Sequence, residues 1–267
     1  MAGKLGACTW VFGDLPLPQV ARGLSRLGYE GVELLGDPQR YPPRIARRIL
    51  ADHGLEVLSL TPLDVDLAHP DPGVRREALD YYWELLDYAA ELGAGVVSCH
   101  GRVGRVRPIA SQAEEGRLFV EGVARLAARA EGLGIGLALE ALNRYESHLV
   151  NTAAQALAVV EEVGSPALGV LLDTYHMNIE EADLPGAIRL VGGRLQLFHV
   201  ADSNRRAPGR GHIPFRELLA ALEGIGYRGP LIVECTAPGP DPFTPVKGPG
   251  WEEAVWEEVR RSLEVLR

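Results

Sequence analysis

A chain of 267 residues, 46% hydrophobic and 24% charged, with 31 glycines and 19 prolines, is large enough to bury a sizeable core without staples. Its net charge of −9 speaks against a nucleic-acid partner, because phosphate contacts come from clustered Lys and Arg, yet it leaves room for one local basic pocket. No signal-like N-terminal segment and no apolar run near ~18 residues is present, so no membrane partner and a cytoplasmic location are expected.

Lys4 to Val11 reads as an opening strand. After it one phrase recurs: a helical pattern, a glycine, then a short apolar strand. It appears as LGYEGVELL (27–35), HGLEVLSLT (53–61), LGAGVVSCH (92–100), LGIGLALE (133–140), VGSPALGVLLD (163–173), VGGRLQLFH (191–199) and IGYRGPLIVE (225–234). The glycine suits the left-handed residue that ends a helix. Helical segments with apolar positions three and four apart lie at Val74 to Leu92, Gln112 to Leu133, Ala153 to Val163, Phe215 to Ile225 and Trp251 to Leu266. Pro43 and Pro214 fit first-turn positions of two helices.

Eight βα repeats without a linker or composition shift predict an α/β fold: a (β/α)8 TIM barrel, one domain over residues 1–267, with its site at the C-terminal ends of the strands. An open doubly wound sheet is the alternative, but no GxGxxG follows any strand. Cys8, Cys99 and Cys235 lie in or at the end of apolar runs without CxxC spacing, as small buried hydrophobes do in a reducing compartment. Loops are expected to be short after strands two and six. They are longer after the third (64–73), the fourth (101–108), the seventh (201–214) and the eighth, where residues 235–250 carry five prolines and suit a semi-rigid flap.

Strands five to eight end in Glu140, Asp173, His199 and Glu234, each the first charged or imidazole-bearing residue after an apolar run. Adjacent strand ends in a barrel lie side by side, so the four converge on one mouth. Three carboxylates so placed repel and raise one another's pKa, and a divalent cation removes that conflict. Three oxygens and one nitrogen suit Mn²⁺, Mg²⁺ or Co²⁺ better than structural zinc, which favours thiolate and imidazole, and Mn²⁺ is the ion expected first.

Other residues carry two readings each. Glu33 ends the second strand, as a pocket residue or a structural ion pair. His100 ends the fourth, lining the pocket or packing. His212 is an accessory ligand or a loop brace. Arg102, Arg105 and Arg107 form a phosphate pocket or a solvated loop, and Trp10 and Phe12 wall the pocket or fill the core. His53, His69 and His148 sit in polar sequence and receive no role.

The segments LALEALNRYE (137–146), LLDTYHMNIEE (171–181), FHVADSNRRAPGRGHIPF (198–215) and LIVE (231–234) resemble the xylose-isomerase-like barrel superfamily, above all its ketose 3-epimerase branch of the D-tagatose 3-epimerase type. The third strand and its loop, LSLTPLDVDLAHPDPGVR (58–75), are similar too. The resemblance implies a metal-dependent epimerase acting at C3 of a ketose or related keto sugar acid, by two-glutamate proton exchange through an enediolate stabilised by the cation. It makes Glu140, Asp173, His199 and Glu234 the metal ligands, with Glu140 and Glu234 also the catalytic acid/base pair. Glu146, His176 and Arg205 fall on sugar-contacting positions. It also implies a small-molecule sugar as partner and a homo-oligomer, dimer or tetramer. Within the same superfamily stand aldose–ketose and hydroxypyruvate isomerases, inosose dehydratases and apurinic endonucleases. The last need further histidine ligands, one of them at the end of the third strand, where Leu60 and Thr61 stand here, and a basic surface. A non-catalytic sugar-binding protein is the remaining alternative.

Overall fold

The computed structural model describes residues 3–241 and 244–267. Eight parallel strands close into a barrel in sequence order: β1 (Leu5–Cys8), β2 (Gly31–Leu35), β3 (Glu56–Thr61), β4 (Val96–Cys99), β5 (Gly136–Glu140), β6 (Leu168–Asp173), β7 (Leu195–Val200) and β8 (Leu231–Val233). Closure is made by β8 on β1, with Leu5 opposite Leu231 and Ala7 opposite Val233. The strands are continuous apolar runs because both faces are covered, by interior side chains on one side and helices on the other.

The helices are α1 (Leu17–Leu27), α2 (Pro43–Ala51), α3 (Pro72–Leu92), α4 (Gln112–Leu133), α5 (Ala153–Val163), α6 (Thr174–Glu180), α7 (Leu184–Val191), α8 (Phe215–Gly224) and α9 (Trp251–Leu266). Pro43 opens α2 and Pro214 caps α8, as their fixed φ favours. After α4 the chain turns on Gly134, at φ 68°, whose N–H returns to the carbonyls of Ala130 and Glu131. That conformation strains any residue with a Cβ, and it delivers the chain directly into β5.

Two details depart from the sequence reading. The first strand stops at Cys8, and Thr9–Phe12 winds into a 3-10 turn held by a bond from the Leu35 amide to Thr9 Oγ1 (2.9 Å). The two-residue alternation is lost there, so Trp10 turns into the barrel mouth while Phe12 is fully buried against Trp256 of α9, centroids 4.6 Å apart. In place of a short loop, β6 runs straight into α6, because the Asp173 carboxylate caps that helix by accepting from the Tyr175 amide (2.7 Å). Of the proline-rich stretch 235–250, residues 242 and 243 lie outside the described residues. Among those described, no helix is long and apolar enough to cross a membrane.

Candidate active site

The parallel register brings the strand-end residues to one level. Asp173 pairs with His199 across β6 and β7. Glu234 sits one residue beyond β8, with its amide still bonded to the Val200 carbonyl (3.0 Å). Glu140, Asp173, His199 and Glu234 are all buried, and one ligand atom from each falls within 4.8 Å of the other three. His199 Nδ1 lies 3.4 Å from Glu234 Oε2 and 3.9 Å from Glu140 Oε1, and it has no hydrogen-bond partner.

The electrostatics of this cluster are unbalanced. Burial pushes Glu140 well above the usual carboxylate range, and Glu234 and Asp173 add repulsion. Burial also lifts Asp173 to about 7, outweighing Arg205. Glu234 moves the other way: despite burial, the Arg205 guanidinium holds it well below its ordinary value. Such opposed shifts mark carboxyl groups competing for too little positive charge. A divalent cation fits this donor set. It would take the unpartnered lone pair of His199 and the facing carboxylate oxygens of a hard, oxygen-rich site.

A cavity of about 410 Å³ opens above the cluster, within the range of small-molecule clefts. Glu140 and Glu234 form part of its floor, and Trp10, His100, Glu146, His176 and Arg205 form much of its wall. Arg205 Nη2 donates to Glu234 Oε2 (2.9 Å), and its guanidinium lies over the Tyr175 ring, 4.6 Å from the centroid. Its backbone is left-handed, φ 59°, a strained setting for a residue with a side chain. Two bonds hold it there, its amide donating to the Asp202 carbonyl (2.8 Å) and its carbonyl accepting from the Thr236 amide (2.8 Å), while the buried Asp202 carboxylate braces the loop by gathering the amides of Ser203, Gly209 and Ile213.

Asn143 organises the opposite wall. Its side-chain amide donates to Glu146 Oε1 (3.0 Å) and sits 2.8 Å from His176 Nδ1, which its backbone amide also approaches (3.3 Å). With donors on Nδ1, the His176 proton sits on Nε2, the nitrogen 3.8 Å from both Glu140 and Asp173. Burial and the nearby Arg205 hold the ring neutral.

The remaining candidates separate clearly. His100 lines the cavity. Phe12 is core, but Trp10 donates its indole N–H to Glu234 Oε1 (2.6 Å). His212 is an exposed brace against Ser203 Oγ (3.1 Å). Glu33 is fully buried and takes Ser59 Oγ (2.7 Å) and His199 Nε2 (3.1 Å) as neighbours. Arg102 pairs at the surface with Asp64 (3.8 Å). Arg105 is neither solvated nor free for phosphate: it is largely buried between Asp66 (2.8 Å) and Glu115. His148, passed over in the sequence, is part-buried, with its side chain packed against Glu115 Oε2 (3.0 Å). Asn143 was also missed, and its position three residues beyond a strand-end glutamate was the available signal.

Residues 21–266 match the family described as xylose isomerase-like TIM barrel. The chain is 33% identical over 252 residues to a D-psicose 3-epimerase of Ruminiclostridium cellulolyticum, covering 90% of this chain and 83% of the relative. It is 37% identical over 214 residues to a ketose 3-epimerase of Arthrobacter globiformis, covering 78% and 73%. The crystal structure of a D-psicose 3-epimerase in the presence of D-fructose superposes with a TM-score of 0.87 and 28% identity, over 98% of this chain and 97% of that one.

Proposed function

Because this chain belongs to the xylose isomerase-like TIM barrel family, we propose that it is a divalent-metal-dependent ketose 3-epimerase, with Mn²⁺ the first candidate ion. The chain is an enzyme of the sugar epimerase and isomerase kind, as its curated relatives are. The finer reading is carried by one observation: two glutamates of the cavity floor, from β5 and from the end of β8, meet at a buried imidazole nitrogen that has no hydrogen-bond partner.

Glu140, Asp173, His199 and Glu234 would hold the ion. When bound, it supplies Lewis-acid polarisation of the ketose oxygens and a template for their orientation. Inverting C3 requires one group to take its proton and another to return a proton to the opposite face. Glu140 and Glu234 are the pair for that exchange, and they trade roles in the reverse reaction. Trp10 and Arg205 each grip one oxygen of Glu234, which keeps the carboxylate from rotating away from C3. The neutral His176, with its proton on Nε2, donates to sugar oxygens, and Glu146 accepts from sugar hydroxyls. Arg205 provides a cation beside the charge that develops as C3 is deprotonated.

Incubating the Mn²⁺-loaded protein with a panel of ketoses in D₂O tests this directly. The expected products are C3 epimers carrying deuterium at C3. Glu140→Gln and Glu234→Gln are each expected to lower turnover about 10²–10⁴-fold, the range for removing a general acid or base. Full turnover in either variant, or aldose or dehydrated products from the wild type, overturns the assignment.

A further inference from the structure

Glu33 lies beneath the cavity rather than in its wall. It occupies β2, opposite Cys8 on one side and Ser59 on the other, with no exposed surface. Oε2 accepts from Ser59 Oγ (2.7 Å) and stands 3.1 Å from His199 Nε2, across the barrel interior from β7. Its other oxygen, Oε1, has no hydrogen-bond partner, and neither does the other nitrogen of the same imidazole.

A structural ion pair between strands would leave neither end incomplete, since buried polar atoms are nearly always paired. Here both outer atoms of one contact are unpaired, and the nitrogen faces Glu234 and Glu140. A neutral imidazole has one N–H to place, and a carboxylate can only accept. Glu33 therefore draws that proton to Nε2, and the Nδ1 lone pair is left aimed at the carboxylates. Ser59 fixes the carboxylate oxygen that makes the contact, so ring rotation and tautomer are set together.

We propose that Glu33 is the positioning residue of the metal centre: it fixes the tautomer and orientation that make His199 Nδ1 a ligand, without touching ion or sugar itself. The inference rests on the metal-binding reading of the quartet. Removing a carboxylate that orients a ligating histidine lowers metal affinity about 10–100-fold.

The test is titration of wild type and Glu33→Gln with Mn²⁺, following free ion by electron paramagnetic resonance. It is paired with ¹⁵N NMR of the His199 ring in the Mg²⁺-loaded wild type. Expected are ~10–100-fold weaker Mn²⁺ binding by the variant and a wild-type ring protonated on Nε2 alone. A wild type that binds Mn²⁺ beside a variant within about twofold of it overturns the role of Glu33 and leaves the metal reading standing. A ring protonated on Nδ1 overturns the role of Glu33 and removes His199 from the ligand set, and the spectrum decides the matter if the variant does not fold. A wild type that binds no Mn²⁺ overturns the metal reading and this inference with it.

Discussion

At Glu234 two donors divide the two carboxylate oxygens, the Trp10 indole on Oε1 and the Arg205 guanidinium on Oε2. A hydrogen bond to a charged group contributes about 1.5–3 kcal/mol. If the indole bond aligns the base for proton transfer, Trp10→Phe, which keeps an aromatic wall, lowers kcat about 10–100-fold while KM changes little. Steady-state kinetics would show this, and an unchanged kcat would reduce Trp10 to a wall. The strand-end acids were legible because each interrupts an apolar run that has no other reason to stop. Trp10 was ambiguous because its direction depends on a 3-10 turn that replaces the end of β1. Arg105 was misread for a different reason. Its acids stand 39 and 10 residues away, and burial of an arginine shows only once the loops are folded together.

The segment between β4 and α4 is held by that buried network. Glu115, in the first turn of α4, accepts from the amides of Ile109 (2.5 Å) and Ala110 (2.8 Å) and pairs with Arg105. Next to Arg105, the amide of Gly104 donates to the carbonyl of Glu146 (2.8 Å), which ties this segment to the wall of the cavity. Burial alone would raise Glu115, but the two amides and Arg105 outweigh it and hold the carboxyl below its ordinary value. A carboxyl lowered in the folded state contributes stability that is present above its unfolded pKa and lost as pH falls through its folded one. Glu115→Gln should cost about 3 kcal/mol at neutral pH and flatten the loss of stability below about pH 4. Urea unfolding at two pH values measures both, and parallel acid limbs for the two proteins would contradict it. Among the elements, α4, α5 and α9 were legible to the residue from apolar spacing and their end glycines or caps. α6 was not, because its seven residues are too few for a periodic stripe and its start depends on Asp173 serving as a cap.

The closed barrel was legible as seven repeats of one phrase after an opening strand, since parallel strands joined by helices have few other ways to cover both faces. How the last helix seals the ring was not. α9 lays Trp256 on Phe12 and against Gly23 of α1, where an added Cβ would fall 2.2 Å from the indole. Phe12→Ala should therefore destabilise the molecule by about 3–5 kcal/mol, the range for emptying a fully buried aromatic site. Calorimetry would record it, and activity at low temperature should survive, because Phe12 does not reach the cavity. A loss below about 1 kcal/mol would mean that the ring is not core.

α9 has a second hold on the molecule. Its buried Glu258 accepts from Arg206 Nε (3.1 Å) and from the Ala207 amide (2.8 Å), 52 and 51 residues back along the chain and immediately beside Arg205. During synthesis, then, every candidate ligand through Glu234 emerges from the ribosome before the anchor for the neighbouring guanidinium does. A nascent chain can therefore present all four of its strand-end residues before the loop beside Arg205 gains its hold on the last helix.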